Sequence, residues 1–83
     1  MKHAGPAALD QLEPLLARVR AAGAGALKEK KRGCFYLRSN SFLHFHEDPK
    51  GMFADIGDDR IQVDDPAGAA QVVARVATLV SDD

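Results

Sequence analysis

The stretch CFYLRSNSFLHFHEDPKGMFADIGDDRIQVD, residues 34–64, decides the fold. Short runs rich in aromatic and β-branched residues alternate there with Asn, Asp, Pro and Gly, a pattern typical of strands joined by turns. Because the links between the runs are short, neighbouring strands are expected to pair as an antiparallel meander. The predicted strands are Cys34–Arg38, Phe42–Glu47, Met52–Ile56 and Arg60–Asp64.

A helix is predicted on each side of these strands. Apolar residues recur at helical spacing over residues 8–22, and Gly23 is expected to end this helix. Pro14 falls within it, so the regular part could begin late and leave this proline in the first turn. After the strands, Asp65 is a suitable N-cap for a second helix, with Pro66 at its first position.

These elements predict a single α+β domain over residues 1–83, in the order α-β-β-β-β-α. The expected fold has two layers, a four-stranded antiparallel meander with the N- and C-terminal helices packed on one face. Residues 24–33 are predicted as a loop with a charged tip, and residues 1–6 and 81–83 are expected to be flexible.

Charge is divided unevenly along the chain, although its net value is only −1 at neutral pH. Residues 1–41 contain eight Lys or Arg and three Asp or Glu, which gives +5, whereas residues 42–83 contain three and nine, which gives −6. Such asymmetry favours self-association or a charged partner, unless the folded chain interleaves the two halves.

Targeting features and cysteine usage indicate the cytoplasm. The N-terminus lacks the apolar core of a signal peptide, and no stretch approaches the ~20 apolar residues of a membrane span. Cys34 is the only cysteine, so an internal disulfide and a C-x-x-C zinc site are both excluded. We expect a cytoplasmic protein with no membrane contact.

The turn between the second and third predicted strands sets a register. Asp48–Gly51 has the residues of a type I turn, with Asp first, Pro next and Gly last. If it forms a four-residue loop, Phe45 lies opposite Ala54, and His44 lies opposite Asp55.

The turn between the first and second predicted strands gives a second register. If Ser39–Ser41 is a three-residue loop, Tyr36 lies opposite His44, and Cys34 lies opposite His46. Since side chains alternate between the two faces of a strand, apolar residues collect on one face and polar and aromatic residues on the other. The second set is a candidate binding face, and it contains Tyr36, Arg38, Phe42, His44, His46, Phe53 and Asp55.

A protein-interaction domain is the function that this face favours most. Exposed aromatic and His side chains are typical of interface cores, which contain few Lys and Glu residues. We therefore expect a non-enzymatic domain, with no cofactor, that binds another protein or a second copy of itself as a homodimer.

A metal site is the first alternative. His44 and His46 are two residues apart on one strand and share a face, with Asp55 and Cys34 on the strands beside them. Imidazole, carboxylate and thiolate groups are ligands suited to zinc or another divalent transition ion. The same patch could instead support metal-free hydrolytic chemistry, with Cys34 activated by His46.

Nucleic-acid binding is a further alternative. The predicted loop contains a basic cluster made up of Lys28, Lys30, Lys31 and Arg32. Tyr36 could add a surface on which a base stacks. The excess of acidic residues in the second half of the chain makes this partner less favoured than a protein.

The run FLHFHED at residues 42–48, followed by GMFAD at residues 51–55, resembles a segment of small uncharacterised bacterial proteins. The likeness covers roughly the central third of the chain. It implies a bacterial cytoplasmic protein and brings no known activity with it.

Overall fold

The computed structural model describes residues 2–81, which form two helices and an antiparallel sheet. The elements in chain order are β1 (Lys2–His3), α1 (Pro6–Gly23), β2 (Leu27–Lys31), β3 (Cys34–Leu37), β4 (Asn40–Asp48), β5 (Gly51–Ile56), β6 (Asp59–Gln62) and α2 (Pro66–Ser81). The α+β class and the two flanking helices are confirmed. The flexibility expected for Met1, Asp82 and Asp83 falls outside the described residues.

The sheet contains more strands than the four predicted. Its order is β2-β3-β4-β5-β6, with every neighbouring pair antiparallel, and β1 also pairs with β4. Because β5 occupies one edge of β4 along residues 43–48, β1 must lie on the other edge, in line with β3. The meander predicted for β3 to β6 is present, and β1 and β2 extend it.

Strand β2 replaces most of the predicted charged loop. Its sequence, LKEKK, does not show the alternation of apolar and polar residues that is typical of a strand. The reason is that Glu29, which lies on the inner side with Leu27, is acidic. Leu27 packs against the core, and Glu29 accepts two hydrogen bonds from Arg20 of α1. The lysines fall on the other side of an edge strand, where lysine is common because it discourages pairing with another chain.

The start of the chain forms a short strand where the sequence predicted no element. His3 of β1 pairs with His46 of β4, and the N–H of Ala4 donates to the carbonyl of Phe45 at 3.0 Å. Ala4 is almost fully buried. A two-residue strand is too short to produce an alternating pattern, so the sequence gives no sign of it.

Helix α1 begins earlier than the late start considered above. It has Pro6 in its first turn, where a missing N–H costs little, and Pro14 lies in its interior. Both Pro14 and Asp10, whose carbonyl the proline cannot bond, lie on the exposed side, where water can satisfy that carbonyl. Helix α2 begins at Pro66 after Asp65, as predicted.

One hydrophobic core joins both helices to the inner face of the sheet. The buried strand residues are Phe35, Leu43, Phe45, Ala54 and Ile56, and Val63, directly after β6, is buried as well. Among the helical residues, Leu16, Val19, Val72 and Val76 are completely buried. The opposite face of the sheet, referred to below as the outer face, carries the polar residues.

The register predicted between β4 and β5 is confirmed. His44 pairs with Asp55, Phe45 with Ala54, and the ladder continues without interruption to the pair Asp48 and Gly51.

The register predicted between β3 and β4 is wrong. The link is a two-residue turn, Arg38–Ser39, and Leu37 therefore pairs with Asn40. The φ angles of the two turn residues are 52° and 71°, in the left-handed region that suits a tight hairpin. Such turns usually contain Asn and Gly, so the sequence did not reveal this one.

The short turn is compensated by a β-bulge. Tyr36 pairs with Ser41, whereas the residue before Tyr36 pairs with Leu43, which leaves Phe42 as the extra residue. Phe42 is partly buried and packs against the core, so its assignment to the outer face is wrong. Beyond the bulge, Cys34 lies opposite His44, one pair away from the predicted partner.

Candidate metal centre

Two histidines of β4 lie side by side on the outer face. His44 and His46 alternate with Leu43 and Phe45, which are completely buried against the helices. Because Leu43 and Phe45 point into the core, the side chains of His44 and His46, which alternate with them, point to the outer face. Asp55 of β5 lies directly opposite His44.

The three polar side chains converge closely. His44 Nδ1 lies 2.9 Å from His46 Nε2, which in turn lies 2.9 Å from Asp55 Oδ2. One candidate ligand atom from each residue lies within 4.8 Å of the other two. The side chains of His46 and Asp55 are each only 18% exposed, although no helix covers this face.

The spacing of these atoms suits a small divalent ion. A tetrahedral zinc ion with bonds of ~2.0–2.1 Å separates its ligand atoms by about 3.3 Å. The observed separations, from 2.9 Å to no more than 4.8 Å, bracket that value. Small side-chain rotations would therefore place all three atoms on one ion.

Arg60 of β6 is the residue that the sequence argument missed. It pairs with Asp55 across the strands, donating from Nε to Oδ1 at 2.7 Å and from Nη2 to Oδ2 at 3.0 Å. This pair of hydrogen bonds, with a smaller contribution from the nearby imidazoles, lowers the pKa of Asp55 below its usual value. The carboxylate is consequently ionised at neutral pH, as a metal ligand must be. A two-residue link at Gly57-Asp58 was the signal that could have found this pair.

Cys34 lies outside the three-residue group. Its Sγ is 3.6 Å from His3 Nε2, and the predicted pairing of Cys34 with His46 is replaced by the pairing of His3 with His46. Burial raises the pKa of the Cys34 thiol, and burial, followed by the charge of Lys31, lowers the pKa of His3. A protonated thiol beside a neutral imidazole does not supply the thiolate that nucleophilic chemistry needs.

The other residues of the predicted face are dispersed. Tyr36 lies beside β2, Arg38 lies in the exposed turn after β3, and Phe53 pairs with His46 from the β5 side. With Phe42 turned toward the core, the predicted aromatic surface is divided. The structure brings together His44, His46 and Asp55, with Phe53 directly opposite His46, and leaves Tyr36 and Arg38 on the β3 side.

The ring of His46 has an uneven set of partners. Its Nε2 contacts both His44 and Asp55, whereas its Nδ1 is buried and, among the described residues, has no hydrogen-bond partner. A buried nitrogen of this kind is uncommon in folded proteins. The polar contacts of the ring are concentrated on the nitrogen that faces the cluster.

Comparisons with protein-family models, with curated proteins and with solved structures found no match to this chain. Neither helix within residues 2–81 combines the length and the apolar character required to cross a membrane.

Proposed function

We propose that this protein is a binding domain for a divalent transition metal, with His44, His46 and Asp55 as its ligands. The convergence of two imidazoles and an ionised carboxylate within 4.8 Å carries this proposal. Two nitrogens and one oxygen suit zinc, the ion we favour, and leave at least one coordination position for water.

Arg60 is compatible with an ion at this position. Its Nε donates to Oδ1 of Asp55, whereas Oδ2 lies against His46 and also accepts a longer hydrogen bond from Nη2, at 3.0 Å. An ion on Oδ2 would compete with this Nη2 contact, while Oδ1 would keep its bond to Nε. Outer hydrogen bonds of this type orient ligating carboxylates in many metal sites.

The surroundings favour a cation. A cavity of about 350 Å³ opens beside His44 and Asp55, and Asp58 and Asp59 contribute to its lining along with Arg60. Asp59 is paired with Arg75 at 2.7 Å, so three carboxylates face two guanidinium groups and leave an excess of one negative charge. That excess would raise the local concentration of a divalent ion.

A protein-interaction surface, the function favoured by the sequence, stays a prediction. We rank it second because the centre of the outer face holds the charged Asp55 and Arg60, and interface cores contain few charged groups. The withdrawal of Phe42 into contact with the core removes one of its expected aromatic contacts.

Calorimetric titration of chelator-treated protein with zinc tests the proposal. We expect one ion to bind per chain, and we expect His44→Ala, His46→Ala and Asp55→Asn each to weaken binding at least about tenfold. His3→Ala is the matched control, since its ring lies 6.3 Å from that of His46 but outside the group, and it should keep most of the affinity. Absence of binding, or equal loss in the control, would contradict the proposal.

A further inference from the structure

We infer that the outer side of the β2–β3 hairpin is a second site, one that binds a small phosphate-bearing ligand of mononucleotide size. A cavity of about 330 Å³ lies there, lined by Ala26, Lys28, Lys30, Tyr36, Arg38 and Ser39. Three of these six residues are basic and none is acidic. The site is separate from the histidine cluster, and the inference does not depend on metal binding.

Strand geometry brings the basic groups to one side. Lys28 of β2 pairs with Tyr36 of β3, and Lys30, where the pairing of the two strands shifts, lines the same cavity. Nζ of Lys30 lies 4.6 Å from the centre of the Tyr36 ring, within range of a cation–π contact. The aromatic ring therefore lies beside the ammonium group of Lys30, in a cavity that Lys28 also lines.

Arg20 and Arg32, which lie near this hairpin, form ion pairs with carboxylates. Arg20 is paired with Glu13 and Glu29, and Arg32 with Asp10 and Glu13, on the side facing α1. Within residues 2–81, neither lysine of the cavity has a carboxylate partner. The uncompensated positive charge is thus concentrated on the outer side.

The fold preserves this charge instead of cancelling it. Because the order from β2 to β6 follows the chain, the lysines of β2 lie at one edge of the sheet, and Asp58 and Asp59 lie at the other. Among the strands of residues 2–81, β1 alone interleaves the two halves of the chain, by pairing Lys2 with Glu47. A phosphate group is the ligand chemistry that the two lysines recognise.

Two features favour a small ligand over a nucleic-acid polymer. The cavity is near the low end of the volumes usual for small-molecule sites, about 300–1,000 Å³. The net charge of −1 gives the whole chain no basic footprint along which a polyanion could extend. Tyr36 can stack on a heterocyclic ring attached to the phosphate, and the hydroxyl of Ser39 can donate to a phosphate oxygen.

Titration with AMP, in chelator-treated protein so that metal plays no part, tests the inference by NMR. We expect chemical-shift changes confined to residues 26–39, weaker binding of inorganic phosphate, and no binding of adenosine. The double variant Lys28→Gln, Lys30→Gln should weaken AMP binding about tenfold or more. Tyr36→Leu should weaken AMP binding but leave phosphate binding unchanged.

Lys50→Gln is the matched control, because this exposed lysine lies in the turn between β4 and β5, and it should bind AMP as the native chain does. Equal binding of adenosine and AMP would overturn the inference, and so would shifts centred elsewhere or no shifts at all. A ten-residue oligothymidylate that binds more tightly than AMP would also overturn it, in favour of single-stranded nucleic acid.

Discussion

The two hairpins that share β4 differ in how regularly their strands pair, and this difference affects which side chains come together on the outer face. The β4–β5 hairpin has six consecutive pairs and a turn in which Asp48 accepts a hydrogen bond from the N–H of Lys50 at 3.1 Å. The β3–β4 hairpin is closed by Arg38–Ser39 in the left-handed region, and its pairing shifts after two pairs.

An unbroken ladder stacks alternate side chains in fixed rows, and that is how His44, His46 and Asp55 reach one another. The turn and bulge of the other hairpin instead separate Tyr36 from the histidines and leave it beside the lysines of β2. Regular pairing thus produces a tight cluster of candidate ligands, and irregular pairing produces an open basic cavity.

The regular hairpin should carry most of the stability. Phe45, between the two histidines, is completely buried, so Phe45→Ala should lower the free energy of unfolding by about 3–5 kcal/mol. Phe53→Ala, on the outer face of the same hairpin, removes a partly exposed ring and should cost clearly less. Urea denaturation of the metal-free proteins measures both, and equal losses would show that the two faces are not as distinct as described.

A side chain at Gly33, in the turn between β2 and β3, should lower the free energy of unfolding. Its φ is +80°, and an added Cβ would lie 2.6 Å from Cδ2 of the buried Leu9. Gly33→Ala should therefore cost about 2–3 kcal/mol in the free energy of unfolding, from backbone strain and overpacking together.

Gly25→Ala separates these two contributions. Gly25 has a similar φ of +86° but nothing within 4 Å of an added Cβ, so this substitution should cost only about 1 kcal/mol of backbone strain. Thermal or urea unfolding gives the comparison. If the two substitutions cost the same, the contact with Leu9 contributes nothing.

The contact between β2 and α1 should depend on pH through Glu29. Hydrogen bonds from Arg20, opposed by burial and aided by the N–H of Gly33, hold the pKa of Glu29 below its ordinary value. A depressed folded pKa stabilises the protein above the unfolded pKa of about 4.3, and this stabilisation is lost as pH falls through the folded value.

Glu29→Gln should accordingly destabilise the protein at pH 7 by about 1 kcal/mol, a modest value because the Arg20 side chain is 39% exposed. The difference from the native chain should shrink as the pH is lowered below 4. Unfolding free energies measured between pH 3 and pH 7 check both statements. A difference that stays constant with pH would mean that the ion pair is not its source.

The irregular hairpin should gain stability from a residue that suits its turn. Ser39 adopts a φ of 71°, which glycine accepts more readily, so Ser39→Gly should raise the free energy of unfolding by about 0.5–1 kcal/mol. Ser41→Gly in the neighbouring strand should have the opposite sign, because glycine weakens extended segments. A loss of stability in Ser39→Gly would count against the two-residue turn.

The parts that the sequence predicted depend on local chemistry. The turn residues Asp48–Gly51 are sufficient to place His44 opposite Asp55, and alternation then directs both to the outer face. The inner-face residues and the start of α2 at Pro66 follow from equally local patterns.

The parts that it did not predict depend on tertiary contacts. Glu29 can occupy the inner side of β2 only because Arg20 neutralises it, and a sequence pattern cannot show that partner. The bulge at Phe42 accompanies the two-residue turn Arg38–Ser39. This turn has neither Gly nor Asn at its centre, so the sequence favoured a three-residue loop instead. Arg60 lies opposite Asp55 because the link between β5 and β6 has two residues, Gly57 and Asp58. The predicted strands implied a link of three residues, which gives a different register.

Detection of the histidine ring nitrogens by ¹⁵N NMR, before and after zinc is added, shows whether His44 and His46 bind the metal. With zinc, Nδ1 of His44 and Nε2 of His46 should move to the shift range of metal-bound imidazole, and the nitrogens of His3 should stay close to their original positions. These are the two atoms that already lie 2.9 Å apart. If all three histidines remain unchanged at saturating zinc, or if His3 alone responds, the cluster of His44, His46 and Asp55 is not a metal site.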